Sequence, residues 1–86
     1  MTKRTLTLIK RTTPPCPACT MMQQALDSAG IEYMAVDIAE QPEAIEQYGV
    51  TSIPVMIVND ADGSEVKRLT GFRPVTIIAD LLKGER

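Results

Sequence analysis

The chain has 86 residues, the size of a single domain spanning 1–86, with 44% hydrophobic and 23% charged residues. One Phe, two Tyr and no Trp leave an aliphatic core as the only option. Nine basic residues against eleven acidic ones give a net charge of −2, which argues against a nucleic-acid partner.

The basic pairs Lys3-Arg4 and Lys10-Arg11 are short and read as solvated strand ends. The apolar stretch Leu6, Leu8, Ile9 is too short for a secretory signal. No run approaches the ~18 apolar residues of a membrane span. A cytosolic protein without membrane contact is expected, and that setting disfavours a permanent disulfide.

Thr5 to Lys10 reads as a strand, with Leu6 and Leu8 on one face and Ile9 on the other. Arg11 to Pro15 contains two consecutive prolines, which cannot continue a ladder, and is a loop. From Pro17 to Ala29 the period is helical: Met22, Ala25, Leu26 and Ala29 share a face. Pro17 suits the first helical position and Gly30 the exit. Ile31 to Ile38 is almost continuously apolar, the pattern of a strand covered on both faces. Strand, helix and strand in this order make a βαβ unit with parallel strands.

A short helix follows from Pro42 to Tyr48, packing Ile45 and Tyr48 and closed by Gly49. Val50 to Pro54 leads into the strand Val55–Val58, and Asn59 to Gly63 forms a hairpin loop into a last strand, Glu65–Leu69. Pro74 opens a third helix with Ile77, Ile78, Leu81 and Leu82 as its buried stripe, ended by Gly84. The order β-α-β-α-β-β-α predicts an α/β fold with a mixed four-stranded sheet.

The only cysteines stand in Cys16-Pro17-Ala18-Cys19, where the first strand gives way to the first helix. That position marks a redox pair. The first N–H groups of a helix lack internal partners and carry partial positive charge. With Cys16 as N-cap, its sulfur faces the N–H groups of Ala18 and Cys19, and Pro17 has no N–H to lose. A thiolate is stabilised there, so Cys16 should ionise below its free value of about 8.5. Cys16 is then the attacking sulfur, and Cys19, deeper in the helix, the one that resolves the mixed disulfide.

Three other readings remain. A zinc site needs about four ligands, and two Cys with no His fall short of that. A structural disulfide across so small a loop stabilises little. Inert core cysteines sit poorly in a proline-rich loop.

Pro15-Cys16-Pro17-Ala18-Cys19, Ser52-Ile53-Pro54 before a strand and Gly71-Phe72-Arg73-Pro74 before the last helix together resemble glutaredoxin-like redoxins of the NrdH type. The resemblance covers nearly the whole chain and implies the thioredoxin fold. It implies a protein-disulfide reductase that delivers electrons to ribonucleotide reductase and is re-reduced by thioredoxin reductase. It also implies a cis bond before Pro54, with Ile53 pairing its backbone with an extended substrate. Pro17, Ser52, Ile53, Pro54, Gly71 and Phe72 become candidate substrate-binding residues, although plain core packing is the other reading of Phe72. No metal or other cofactor is expected, and the chain is expected to be a monomer.

The chain departs from the pattern at three places. The Gly71 region lacks the acidic pair with which glutaredoxins hold glutathione. Thr13 stands where many relatives carry Lys, and Leu69-Thr70 replaces a Trp-Ser. A glutathione-dependent enzyme is the alternative within redox chemistry. A non-catalytic thioredoxin-fold binding module is the alternative outside it. Asp37 reads as a polar strand end and receives no role.

Overall fold

The computed structural model describes residues 4–84. Its elements are β1 (Thr5–Lys10), α1 (Pro17–Ser28), β2 (Met34–Asp37), α2 (Ala44–Tyr48), β3 (Val55–Asn59), β4 (Glu65–Thr70) and α3 (Val75–Lys83). The order is the one expected, and the strands form one mixed sheet, β2-β1-β3-β4. β1 pairs in parallel with β2 and antiparallel with β3, and β3 pairs antiparallel with β4.

The alternation along β1 divides the apolar core in two. Leu6 and Leu8, with Met56 and Val58 of β3, face Met22 and Leu26 of α1 and Ile78 of α3. Ile9, with Val36, Val55 and Ile57, packs on the other face against Ala44 and Val50. Both central strands are therefore covered on both sides, and their side chains are buried throughout Leu6–Ile9 and Val55–Val58. Each of these side chains except Thr7, which is polar, contributes about 1.5–3 kcal/mol on leaving water.

Four expectations need correction. β2 is only four residues long and sits at a sheet edge, so Met34 and Ala35 are exposed and only Val36 is buried. The apolar run from Ile31 reflects packing of Ile31 and Tyr33 against the α1/α3 core rather than a strand covered on two faces. In α2, Ala44 is buried and Ile45 is exposed, because Ala44 and Tyr48, four residues apart, share the inward face and the adjacent Ile45 is turned off it. In α3, Ile78 is fully buried and Leu81 and Leu82 pack partly against the core, whereas Ile77 points away. Ala29 is the exposed C-cap of α1, one residue past the buried face.

The closing glycines end α2 and α3 as their positions imply, whereas α2 opens at Ala44 and not at Pro42. Gly49 closes α2 at φ 64°, where a side chain would be strained. Arg4, read as a solvated strand end, instead donates from Nη1 to the Leu81 carbonyl at 2.9 Å, placing a cation near the C-terminus of α3. Its neighbour Lys3 lies outside the described residues. No described helix is long and apolar enough to cross a membrane.

The neighbouring isoleucines of α3 test this packing. Ile78→Ala should cost about 3 kcal/mol of stability, and Ile77→Ala no more than about 0.5 kcal/mol, measured by urea unfolding. Equal losses would contradict the assignment of the buried face.

Candidate active site

Pro14, Pro15 and Pro17 deny the chain three backbone donors around Cys16, and the helix starts as soon as a donor is again useful. Cys16 has extended backbone (φ −128°, ψ 92°) and is the N-cap of α1, with Pro17 at the first helical position. Its carbonyl accepts the first helical hydrogen bond, from Thr20 N at 3.1 Å. Its sulfur accepts from the Cys19 N–H at 3.2 Å. Of the two N–H groups expected to face the sulfur, only that of Cys19 does so, the geometry of a side-chain cap reaching the third helical residue.

The two sulfurs are joined as a disulfide, with Cα atoms 5.2 Å apart. Cys16 retains 8% of its surface and Cys19 only 2%, so the first sulfur is the more accessible, as expected. A cleft of about 190 Å³ opens beside the pair and is lined also by Lys10, Arg11, Thr12 and Gln23. A larger groove, of about 790 Å³, runs along the start of β1 past Ile31, Tyr33 and Leu82. It includes neither cysteine, and volume alone does not make it the reactive centre.

Two other segments converge on α1. The Pro54 carbonyl accepts from Gly71 N at 2.8 Å, and the Arg73 N–H points at Met22 Sδ at 3.5 Å. Met22 lies one turn beyond Cys19, so Ser52-Ile53-Pro54 and Gly71-Phe72 are tied into the same end of the molecule. Gly71 turns the chain at φ 84°, out of β4 and toward α3. Pro54 is buried, Ile53 half-buried and Ser52 exposed. The Ile53–Pro54 bond is cis, as the resemblance implied, and so is Thr13–Pro14, which nothing in the sequence announced. Phe72 is 42% exposed, which removes core packing as its explanation.

Sequence reasoning passed over two residues. Asp37 is more than a strand end: its carboxylate accepts from Thr12 Oγ1 at 2.6 Å, Thr12 N at 3.2 Å and Ala39 N at 2.9 Å. It thereby joins the end of β2 to the loop that carries the cysteines. The Thr12 hydroxyl, helped by the two backbone donors and nearby Lys10, holds the Asp37 carboxyl below its usual range. Arg11, taken for a solvated end, is turned onto the loop and donates to the Pro14 and Pro15 carbonyls. The available signal was chemical: a proline pair offers only acceptors, so a nearby donor is needed.

A disulfide-forming pair at a helix N-terminus, at the exit of the central strand of a mixed sheet, defines a thiol–disulfide oxidoreductase of the thioredoxin fold. The glutaredoxin family model matches residues 6–62. The SPbeta prophage-derived thioredoxin-like protein YosR of Bacillus subtilis (strain 168) is 37% identical over 67 residues, covering 78% of this chain and 84% of that protein. Thioredoxin of Staphylococcus aureus is 32% identical over 73 residues, covering 78% of this chain and 69% of its own length. The chain belongs to the glutaredoxin family. Solved structures of thioredoxins agree in fold: thioredoxin-2 of the malaria parasite superposes with a TM-score of 0.83 at 19% identity, covering 98% of this chain and 84% of that one. A Halobacterium salinarum thioredoxin gives 0.80 at 20%, covering 95% and 74%.

The Asp37 brace has a defined pH signature. The carboxylate is the form that accepts these bonds, so its folded value lies below the ordinary 3.8. Its contribution is present above 3.8 and is lost as pH falls through the lower folded value. An NMR titration should place the Asp37 midpoint below 3.8, with the Thr12 amide following the same curve, and Thr12→Val should return it upward. A midpoint at or above 3.8 in the unaltered chain would contradict the brace.

Proposed function

We propose that this chain, acting as a single monomeric domain, is a dithiol electron donor of the NrdH type. In this reading it reduces disulfides of a protein such as ribonucleotide reductase and is recycled by thioredoxin reductase. The observation that carries the chemistry is the Cys19 N–H directed at Cys16 Sγ at the start of α1. In the reduced protein that N–H and the helix terminus stabilise a Cys16 thiolate.

The thiolate attacks one sulfur of the substrate disulfide. A Cys16–substrate bond forms, the substrate bond breaks, and the departing sulfur leaves as a thiolate that takes up a proton. Cys19 then loses its proton and attacks Cys16 Sγ, forming the Cys16–Cys19 bond and releasing the second substrate sulfur. The pair gives two electrons to the substrate, whose two released thiolates take up the proton given up by Cys19 and one from water, and the product is the disulfide form seen here. Reduction by the flavoprotein reductase, with electrons from NADPH, restores the dithiol.

Substrate binding falls to Pro17, Ser52, Ile53, Pro54, Gly71 and Phe72. Among the described residues no hydrogen bond engages the backbone of Ile53, which leaves that backbone free to pair with an extended peptide. The half-exposed Phe72 follows Gly71, whose N–H bonds the Pro54 carbonyl, and offers an apolar surface on that neighbouring segment. The redoxin reading is favoured over a glutathione-dependent one by Gly71-Phe72-Arg73-Pro74, a stretch without the acidic pair that would hold the glutathione amine.

Coupled assays separate these readings. NADPH oxidation with insulin as disulfide substrate should proceed with thioredoxin reductase and stay at background with glutathione and glutathione reductase. Cys16→Ser should abolish turnover. Cys19→Ser should stall as a mixed disulfide visible by mass spectrometry. Turnover only with glutathione would overturn the choice of reductant, and full activity of Cys16→Ser would overturn the mechanism and favour a binding module.

A further inference from the structure

We propose that Arg11 is a positioning residue for the redox pair, clamping the Pro14-Pro15 loop so that Cys16 Sγ stays seated on the Cys19 N–H. The inference rests on the dithiol reading above. Its basis is a shortage of donors. Pro14 and Pro15 have no N–H, and among the described residues no backbone N–H donates to either of their carbonyls. The residue next in line, Cys16, must hold an extended cap geometry and not slide into the helix.

Arg11 supplies what the loop lacks. Its Nε donates to the Pro14 carbonyl at 2.9 Å and an Nη to the Pro15 carbonyl at 3.4 Å. A planar guanidinium holds two acceptors at a fixed spacing, which an ammonium does not. The start of the same loop is held separately, where Thr12 meets Asp37. Arg11 therefore fixes the half of the loop that runs into the N-cap.

The charged groups lining the cleft beside Cys16 are Lys10 and Arg11, while α1 contributes Pro17, Cys19, Thr20 and Gln23 and no charge. Asp37 is engaged by Thr12 on the β2 side. Lys10 remains in every Arg11 variant, so a cation near the cleft persists when the clamp is removed. A clamp and a simple charge effect consequently make different predictions for a lysine at position 11.

The test is the alkylation rate of reduced Cys16 by iodoacetamide at pH 7, in the unaltered chain, Arg11→Lys and Arg11→Gln. Loss of the seated geometry should slow both variants by about threefold or more, as the thiolate fraction falls. Arg11→Lys recovering at least half the original rate would replace the clamp by a charge effect, and both variants at the original rate would remove any role for Arg11. An unaltered chain that alkylates like a free thiol would instead overturn the dithiol reading itself. Should a variant unfold, the Arg11 Nε–H of the unaltered chain still decides. Protection from solvent exchange in both the oxidised and reduced protein is expected, and exchange as fast as in free arginine would overturn the clamp.

Discussion

The hydrogen bond from the Cys19 N–H to Cys16 Sγ requires two things at once: a helix that begins at residue 17 and an N-cap with extended backbone. The helix terminus supplies partial positive charge that a thiolate uses better than a thiol does. A protein with no histidine can therefore activate a cysteine without a general base. The same terminus allows the second sulfur to close the ring, since the Cα atoms of residues 16 and 19 are only 5.2 Å apart.

Everything around the pair serves to keep that terminus in place. β1, buried on both faces, delivers the chain to residue 10 from the middle of the sheet. Met22 and Leu26 anchor α1 to the core, which holds the helix end that carries the cysteines against the sheet. Between these rigid parts lies a loop rich in proline and poor in donors, tied by Asp37 at its start and by Arg11 at its end. The contacts from Gly71 to Pro54 and from Arg73 to Met22 bring two further segments to the same end of the molecule. The redox pair and these two segments thus lie together at one end of the sheet, while the opposite end carries the polar hairpin at Asp60–Ser64.

Much of this was legible in the residues. The alternation at Leu6, Leu8 and Ile9, the proline at position 17 and the closing glycines at 49 and 84 each reflect local rules, and the structure follows them. The sulfur cap was legible in part, because its donor and acceptor lie within residues 16 to 19, although only the Cys19 N–H of the two expected faces the sulfur. Less legible were questions of which apolar residue wins a place inside. Ile77 and Ile78 are identical in chemistry, and only the position of the sheet decides between them. The run from Ile31 to Ile38 looked like an interior strand because its hydrophobicity carries no record of how many neighbours the strand has. Arg11 and Asp37 were missed for a related reason: their partners depend on how the loop bends back, which no spacing reveals.

The central claim is that a sulfur anion at position 16 is more stable in the folded protein than in water. The most direct measurement is the thiolate absorbance near 240 nm of the reduced protein as a function of pH, with Cys19→Ser isolating the first thiol. A midpoint for Cys16 clearly below the free cysteine value of about 8.5 is the result this structure requires. A midpoint at or above that value would show that the helix terminus does not activate the sulfur.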